Sequence, residues 1–575
     1  MLESGLQKIA TNCEIIKLIY KNLEFEDQLR LSQVNKELKK TFQTHISMEN
    51  YEHLRVIYHQ TFNYVVTNRS GVKRRCLKPS EFEEFIKVYG SQVFELNLIS
   101  CYLEMEIFTH EVVEDLVDMR EFPNIVKLKL NGMEVSSKFW EILSVCCNQL
   151  EEITLEYCSN DQGGILQIAS DIKLEILEKF PKLNAFSLKN YEWYLPTIEY
   201  NKWLELLRKL QLKTLCLNDR IIHETTITEG QIGTNCLKKM QIKTSLDNFP
   251  KFINHMENLT TLRLQVLETI NYQMLQIIAA TCPSLEIFEI ANSKFDKVAN
   301  IVLPKNIKEF ALLECTGLSI HHLKKILQNN MKKLTFISTE YDDDESTEHF
   351  HISTKLQSLK LDCHYMLKLE EISNLLQNGH IKELIWHHSQ QDCHISEEIT
   401  LHCYDQLTSL QNLTIVDHHF SSGNWSQILK ILNHPTLEEL SMMQSSVEYN
   451  RNINPESMPN YNIPLEGDFQ TNIKRLSIPL QIFEINLDFW LELFANSCNM
   501  ATLICTLTFE DFDYDQCLRK LLHHKYFPKN LKEIDIFGYA IDCNDLRRNF
   551  NSIINKLQNE NCEDMYRIVV GKPTE

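Results

Sequence analysis

The chain has 575 residues, long enough for several ordinary domains or for one large repeated architecture. Hydrophobic residues make up 43% and charged residues 24%, which is the balance of a globular protein and argues against a long disordered linker. The formal net charge of −20 disfavours nonspecific binding to nucleic acid or to an anionic membrane, because such binding depends on clustered Lys and Arg.

The N-terminal residues predict neither a secretory signal nor a membrane anchor. The stretch MLESGLQKIATNCEIIKLIY lacks a basic start followed by an uninterrupted apolar run. No apolar run in the chain approaches the roughly 20 residues needed to span a bilayer. We therefore expect a cytoplasmic or nuclear protein, in which most of the 18 cysteines are free thiols buried as small apolar residues.

The first predicted element is a helix that begins near Glu14. Ile15, Ile19 and Leu23 are spaced by four residues, and so are Ile16 and Tyr20. This spacing predicts one wide apolar face. We expect Ile15, Ile19 and Leu23 to pack inside a small helical bundle.

A second helix is predicted to follow, with Asp27 as its N-cap. Its apolar stripe comprises Leu31, Val34, Leu38 and Phe42. About forty residues are few for a self-sufficient core, so part of this bundle is expected to meet a partner. Further along, the basic run Gly71 to Lys78 predicts a solvated loop, and Pro79 to Leu98 predicts a helix leading into the next region.

From Val93 onward a short motif, L-x-x-L-x-L, recurs about seventeen times with a mean spacing of roughly 27 residues. The copies begin at Val93, Ile125, Leu150, Leu183, Leu212, Leu237, Leu259, Leu285, Ile307, Met331, Leu356, Ile381, Leu410, Leu437, Ile473, Met500 and Leu531. This period is typical of leucine-rich repeats. A lone repeat cannot bury its apolar edge, so the repeats are expected to stack into a curved solenoid.

Helix-like segments lie between several copies, so each repeat is predicted to be a short strand followed by a helix. Apolar residues recur at helical spacing in the stretches before Leu150, Leu285 and Leu334. The long gap between Leu437 and Ile473 predicts an irregular loop, and Tyr341 to Phe350 predicts an acidic, solvated one.

Alternation along each strand predicts which side chains leave the core for the concave face. Among them, a loose basic track on an acidic protein suits an acidic or phosphorylated segment of a protein substrate. The candidate substrate-binding residues are Lys243, Arg263, Lys333, Lys360 and His387. The alternative is that these are ordinary solvated positions.

The sequence contains no motif that argues for an enzyme. It has no phosphate-binding loop, dinucleotide fingerprint, H-E-x-x-H or G-x-S-x-G. The Cys–His pairs at residues 362–364, 392–394 and 402–403 lack the spacing of a zinc site. We expect a non-catalytic protein without a metal or cofactor, in which Cys146 and Cys147 end a helix as core thiols.

Residues 12–45 resemble an F-box, particularly in the stretch EDQLRLSQV, which is similar to insect F-box proteins. The usual Leu-Pro start of that motif falls on Thr11 and Asn12, and Leu38 stands near the usual Trp. The resemblance implies that this segment docks the Skp adaptor of a cullin–RING ubiquitin ligase, while the repeats hold an unknown protein substrate for ubiquitination and proteasomal degradation. The adaptor-binding residues it implies are Thr11, Asn12, Glu14, Ile15, Leu29, Leu31 and Val34.

The predicted fold is therefore an α/β leucine-rich-repeat solenoid preceded by a small all-helical F-box. The solenoid is expected to be a ribonuclease-inhibitor-like horseshoe with parallel strands on the concave side and helices outside. The predicted domains are the F-box (1–48), a helical linker and N-terminal cap (49–92), the solenoid (93–540) and a C-terminal cap (541–575). The alternative function is a non-ligase scaffold for protein–protein interaction, whose N-terminal helices only cap the solenoid.

Overall fold

The computed structural model places this chain in two units of tertiary contacts, Met1–Leu267 with Ala280–Leu285, and Glu268–Ala279 with Glu286–Glu575. No helix in the part of the chain described below is long and apolar enough to cross a membrane. The structure describes residues 15–16, 19–20, 23, 25–42, 51–59, 63–68, 74–101, 111–162, 166, 171–189, 197–199, 209–222, 236–244, 253, 256–266, 268–296, 301–338, 341–342, 353–362, 380–387, 407–416, 419–420, 431–443, 446–447, 471–479, 502–507, 533–538 and 567–571.

Residues 15–16 and 19–20 are helical, and the helices with defined bounds among the described residues are few and short. They are α1 (Phe25–Ser32), α2 (Lys36–Thr41), α3 (Pro79–Tyr89), α4 (Val113–Leu116), α5 (Ser137–Cys146), α6 (Leu174–Leu177), α7 (Tyr272–Thr281) and α8 (Ile320–Leu327). Single 3₁₀ turns cover Gly90–Gln92 and Met119–Glu121.

Strands dominate the described residues. In the first unit they are β1 (His53–His59), β2 (Asn63–Asn68), β3 (Arg74–Leu77), β4 (Glu95–Cys101), β5 (Glu111–Val112), β6 (Lys127–Asn131), β7 (Met133–Glu134), β8 (Glu152–Glu156), β9 (Ala185–Lys189), β10 (Thr197–Glu199), β11 (Thr214–Ile222), β12 (Lys239–Thr244) and β13 (Thr261–Val266). In the second unit they are β14 (Thr269–Ile270), β15 (Ile287–Ala291), β16 (Lys294–Phe295), β17 (Glu309–Cys315), β18 (Leu318–Ser319), β19 (Lys333–Ser338), β20 (Tyr341–Asp342), β21 (Ser358–Asp362), β22 (Glu383–His387), β23 (Asn412–Val416), β24 (His419–Phe420), β25 (Glu439–Met443), β26 (Ser446–Val447), β27 (Arg475–Pro479), β28 (Thr502–Leu507), β29 (Glu533–Gly538) and β30 (Arg567–Gly571).

Each unit contains one parallel sheet in which strands follow one another in chain order. In the first unit β4, β6, β8, β9, β11, β12 and β13 are neighbours, and β10 pairs with the end of β11. In the second unit β15, β17, β19, β21, β22, β23, β25, β27, β28, β29 and β30 form the corresponding series. All seventeen copies of the L-x-x-L-x-L motif lie on these strands. The leucine-rich-repeat prediction is therefore confirmed, while the horseshoe curvature stays a prediction.

The apolar positions of the motif form the core because strand side chains alternate between the two faces of the sheet. In β6 and β8 every second residue is buried, and Leu128, Leu130, Ile153 and Leu155 are 0 to 1% exposed. These residues are Cα partners in adjacent strands, so each repeat covers the apolar edge of the one before. Burying one such side chain contributes about 1.5–3 kcal/mol.

A left-handed residue directly follows β6, β8 and β15, and another lies next to the last residue of β17. Gly132 has φ +67°, and Tyr157, Asn292 and Glu314 have φ values of 53°, 44° and 52°. A non-glycine residue in this region costs about 1–2 kcal/mol. The turn is held by the next repeat, because the Tyr157 N–H donates to the Lys189 carbonyl at 2.7 Å.

After Tyr157 and Glu314 the next residue is a buried cysteine. The Cys158 thiol lies 3.7 Å from the Leu130 carbonyl oxygen, and the Cys315 thiol lies 3.5 Å from the Ile290 carbonyl oxygen. Each thiol therefore donates a weak hydrogen bond to the preceding repeat. The predicted role of the cysteines as core thiols is confirmed for these two and for Cys147, whose thiol approaches the Phe122 carbonyl oxygen at 3.6 Å.

A second set of short parallel pairings, absent from the prediction, lies beyond these turns. The pairs are β5 with β7, β14 with β16, β18 with β20, and β24 with β26. Gly317 just before β18 has φ +71°, and a Cβ atom there would lie 2.3 Å from the Phe295 carbonyl oxygen. Only glycine fits that close approach between neighbouring repeats. Tyr341–Asp342, predicted to be loop, forms β20.

The prediction of a helical linker over residues 49–92 is wrong for its first part. β1, β2 and β3 form an antiparallel meander, and β1 also pairs in parallel with β4. The meander thus covers the edge of the first repeat strand. Buried Leu54, Val56 and Tyr58 alternate along β1, a period-2 pattern that is typical of a strand. The basic run predicted as a loop contributes β3.

The helix predicted to lead into the repeats is confirmed as α3. Pro79 opens it, where a missing N–H costs nothing. Its buried face packs on aromatic side chains: Phe82 stacks on Tyr64 of β2 at 4.0 Å, and Phe85 meets Tyr51 edge-on at 5.0 Å.

Two other predictions about the repeats need correction. A helix was expected in every repeat, but residues 301–308, which include Pro304, form none. Proline in a helix interior removes a backbone hydrogen bond and clashes with the preceding turn. The predicted C-terminal cap contains an additional parallel strand, β30, which pairs with β29. The helices predicted before Leu150, Leu285 and Leu334 are confirmed as α5, α7 and α8.

We expect Leu334→Asp to destabilise its unit by about 3 kcal/mol or more, because Leu334 is fully buried and a carboxylate there would lose its solvation. The adjacent Lys333 is exposed, so Lys333→Asp is the matched control and should melt like the wild type. Thermal unfolding followed by circular dichroism measures both. Equal melting of the two variants would show that the strand register is wrong.

Burial raises the pKa of Cys147 and of Cys158 to about 12 and that of Cys315 to about 11. Since the thiolate is the reactive form, these thiols should react with iodoacetamide at pH 8 at least about a hundredfold more slowly than half-buried Cys146. Mass spectrometry of alkylated peptides provides the measurement, and unfolding in urea should abolish the difference. Equal labelling in the native state would contradict the described burial.

Candidate interaction surfaces

The N-terminal residues form a small bundle with its own interior. Tyr20 is fully buried and lies 5.6 Å from the Phe42 ring, and its hydroxyl donates to the Leu38 carbonyl at 3.1 Å. The Gln28 amide donates to the Tyr20 and Leu23 carbonyls at 2.7 and 2.9 Å. Burial raises the pKa of Tyr20 to about 12, so the hydroxyl stays protonated as a donor. The interior is therefore both packed and hydrogen-bonded.

The helix predicted to begin near Glu14 precedes α1, and its apolar residues divide between interior and surface differently from the prediction. Ile16 and Tyr20 are 2% and 0% exposed, whereas Ile15 and Ile19 are 41% and 39% exposed. The expectation that Ile15 and Ile19 pack inside the bundle is therefore wrong, because helical residues one position apart point in directions about 100° apart. Ile15 and Ile19 lie one turn apart and present adjacent apolar side chains to solvent.

The second helical region shows the same division. Leu38 and Phe42 are buried, Leu31 is half-buried, and Val34 is 69% exposed in the turn between α1 and α2. Asp27 lies inside α1, where it pairs with Arg30 at 3.3 Å and does not cap the helix. Asn35 caps α2 by accepting from the Leu38 N–H at 2.8 Å.

Of the predicted adaptor-binding residues, the structure brings Ile15 and Val34 to the surface and leaves Leu31 half-buried. Leu29 lies in α1, and its side chain is outside the described part. Thr11, Asn12 and Glu14 also lie outside the described residues. Ile19 is an exposed apolar residue that sequence reasoning assigned to the interior.

The second candidate surface is the open face of each parallel sheet, formed by the strand side chains that alternate with the core. In the first unit its charges neutralise one another. Lys127 pairs with Glu95 at 2.9 Å and with Glu152 at 3.8 Å, across three adjacent strands. His53 of the meander approaches the same Glu95 carboxylate at 2.5 Å. Burial alone would raise the pKa of Glu95, but hydrogen bonds from Lys127 and His53 outweigh it and hold this pKa below its usual range.

Two of the predicted basic residues, Lys243 and Arg263, lie on adjacent strands β12 and β13 of this face. Arg263 is exposed, but Lys243 is only 9% exposed. In the register Lys243 stands between Arg220 and Gln265, next to an irregularity in β11 that follows Cys216. Lys243 is thus a poor candidate for contact with a partner, whereas Arg263 is accessible.

The other predicted basic residues lie in the second unit. Lys333 is exposed at the start of β19, and Lys360 is half-buried in β21. Their Cα partners are Ser358 and Thr335, so the two lysines are diagonal neighbours on one face, about 8 Å apart. His387 ends β22, and its side chain lies outside the described part. The structure therefore brings Lys333 and Lys360 together.

Sequence reasoning missed a further set of lysines, which directly precede the strands. Lys308, Lys332 and Lys382 are exposed and immediately precede β17, β19 and β22. Backbone hydrogen bonds connect them through Gln357 into one row at the edge of the sheet. Their signal in the sequence was a lysine directly after the first apolar position in three of four successive motif copies.

Among the described residues, no three His, Cys, Asp or Glu side chains are grouped so that they could hold a metal ion. What the two surfaces offer is exposed apolar area at the bundle and charged, registered side chains along the sheet. Both are suited to contact with another macromolecule.

No family model matches this sequence, and no curated protein matches it. Among the solved structures that match is an internalin from Listeria monocytogenes. It is 12% identical, the match covers 70% of this chain and 90% of the internalin, and the TM-score is 0.27. A likeness this distant carries no argument, and the leucine-rich-repeat assignment rests on the strands described above.

Changing Arg263 of the first unit and Lys360 of the second unit together to Glu should leave thermal stability within about 0.5 kcal/mol and reduce the recovery of bound partners, if the open face of either sheet receives an acidic segment. Affinity purification with quantitative mass spectrometry measures the recovery. The matched control is Lys294→Glu with Lys325→Glu, two exposed positions elsewhere. Unchanged recovery in the Arg263 and Lys360 variant would count against this face.

Proposed function

We propose that this chain is the substrate-recognition subunit of a Skp–cullin–F-box type ubiquitin ligase. In this proposal the N-terminal bundle docks the Skp adaptor, and through it a cullin–RING ligase, while the repeats hold a target protein. The chain itself carries out no chemistry. It increases the local concentration of target lysines near the ubiquitin-conjugating enzyme, and such proximity can lower a barrier by several kcal/mol. The proposal implies a cytoplasmic or nuclear protein.

The observation that carries the proposal is the apolar surface of the N-terminal bundle. Ile15, Ile19 and Val34 are exposed although the bundle interior is already filled by Ile16, Tyr20, Leu38 and Phe42. A small domain that leaves three large aliphatic side chains in water has apolar area available for a partner. Ile15 and Val34 are also positions at which the F-box resemblance implies adaptor contact.

The alternative is a leucine-rich-repeat scaffold whose N-terminal helices only cap the stack of repeats. A specific observation weighs against that role for the helices. The edge of β4 is already covered by β1, and β2 and β3 continue the meander outward. With the edge of the sheet covered by strands, the bundle is not needed as a cap. A scaffold that uses the bundle for some other partner remains the competing function.

Replacing Ile15 and Ile19 together by Ser should weaken binding to the purified Skp adaptor about ten- to a hundredfold. Each side chain has roughly two fifths of its surface left to bury, and complete burial of one Ile is worth about 1.5–3 kcal/mol. Val34→Ser should act in the same direction with a smaller effect. Biolayer interferometry with the full chain measures the affinity, and circular dichroism checks the fold.

Val145→Ser is the matched control, because Val145 is 80% exposed on α5, away from the bundle in sequence. It should leave adaptor binding unchanged. If the wild-type chain fails to bind the adaptor at micromolar concentrations, the ligase proposal falls and the scaffold function takes its place. If it binds but the Ile15 and Ile19 variant binds equally well, the bundle surface is not the docking site.

A further inference from the structure

A row of residues precedes the strands of the second unit and is fixed by the backbone. The Lys332 N–H donates to the Lys308 carbonyl at 2.7 Å, the Gln357 N–H to the Lys332 carbonyl at 2.8 Å, and the Lys382 N–H to the Gln357 carbonyl at 2.8 Å. Successive members of the row are therefore one strand spacing, about 4.8 Å, apart. All four residues are exposed.

The two ends of this row are electrically neutral, but its middle is not. Lys308 pairs with Glu286 at 2.6 Å, and Lys474, farther along the same row, pairs with Glu438 at 2.8 Å. Between these pairs, neither Lys332 nor Lys382 forms an ion pair with any residue that the structure describes. The stack of repeats thus leaves uncompensated positive charge on a protein whose net charge is −20.

Two neighbouring lysines enlarge the charge. Lys333 and Lys355 are exposed, and they too make no ion pair within the described part of the chain. Of the nearby acids, Glu309 lies opposite Lys333 in the register without pairing with it. The Glu383 carboxylate accepts a hydrogen bond from the Ser358 hydroxyl. We name Lys332, Lys333, Lys355 and Lys382 the lysine edge.

We infer that the lysine edge binds an extended segment of the target protein that is rich in Asp and Glu. This binding deepens the proposed function and rests on it, because the proposed function is what identifies the bound protein as a target. Lys332 and Lys382 are two strand spacings, or about 10 Å, apart. An extended peptide in the polyproline II conformation has three residues per turn and rises about 3.1 Å per residue, so acidic side chains at positions i and i+3 lie on one face about 9 Å apart. A segment crossing the strands can therefore place successive carboxylates opposite these lysines.

An acidic protein segment fits this edge better than nucleic acid does. Four lysines give few phosphate contacts, and the overall negative charge opposes the approach of a long polyanion. A short acidic segment experiences mainly the nearby lysines, because charges beyond about 10 Å are screened at physiological salt. Exposed Gln357 and Gln411, which alternate with the lysines in the row, add amides that can donate to carboxylate or backbone oxygens.

The test uses the full chain and a fluorescein-labelled peptide with Asp at positions i, i+3 and i+6 in a Gly-Ser background, measured by fluorescence anisotropy at about 0.15 M salt, where distant charges are screened. Lys332→Gln with Lys382→Gln should weaken binding about three- to tenfold, the effect of losing two exposed charge pairs. Lys294→Gln with Lys325→Gln removes the same charge from exposed positions of the same unit, and should leave the affinity unchanged. Both variants should melt like the wild type, because neither pair of lysines has an ionic partner among the described residues.

The inference is overturned if both variants weaken peptide binding equally, or if a peptide with three consecutive Asp binds as tightly as the spaced one. It is also overturned if the wild type binds a single-stranded RNA more tightly than the peptide and the Lys332 and Lys382 variant loses that RNA binding. Adaptor affinity is measured on the same samples. Retained adaptor binding with lost peptide binding supports the lysine edge. Failure of the wild type to bind the adaptor while peptide binding follows the lysines would end the ligase proposal and leave the lysine edge standing.

Discussion

The molecule depends on the registered pairing of parallel strands between consecutive repeats. One repeat presents a row of two or three aliphatic side chains that it cannot cover by itself. When the next strand pairs in register, its own row lies against the first, so that hydrogen bonding and apolar burial form together. A shift of one residue would turn every leucine toward solvent. The weak thiol contacts and the left-handed turns follow from this register, because both join the end of one strand to a carbonyl of a neighbouring repeat.

The same register determines which charged residues become neighbours on the open face of the sheet. Residues at equivalent positions form rows across the sheet, so charges far apart in sequence become neighbours. In the first unit this produces an alternation of His53, Glu95, Lys127 and Glu152, in which Lys127 pairs with both carboxylates and His53 contacts Glu95. In the second unit the middle of the row in front of the strands, from Lys332 to Gln411, alternates lysine with glutamine, and its lysines form no ion pair with a described residue. The contrast between a compensated surface and an uncompensated one distinguishes ordinary solvated charge from a candidate contact.

The strands of the repeats could be predicted because the L-x-x-L-x-L motif combines a period of two with strongly apolar positions, and nothing in the tertiary structure competes with it. The meander could not be predicted from the family resemblance, which favoured helices, although the alternation of Leu54, Val56 and Tyr58 carried the signal. Two-residue strands such as β5 and β18 are too short to show any period. The exposure of Ile15 and the burial of Lys243 depend on neighbours from other elements. In the register the Cα partner of Lys243 is Arg220, next to an irregularity in β11 that the sequence pattern does not show. Thus the position of a residue on a face was predictable, but its accessibility was not.

The antiparallel meander at the start of the first unit has a consequence for association between copies of the chain. A stack of identical parallel strands is self-templating, since each edge presents the hydrogen-bonding pattern that another copy could extend. Here β1 continues the parallel direction for one step, β2 reverses it, and β3 returns to it. The outer strand β3 has only four residues and begins with Arg74 and Arg75. A short edge strand that carries charged residues disfavours pairing with another chain, so strand length and charge protect this end of the sheet from association.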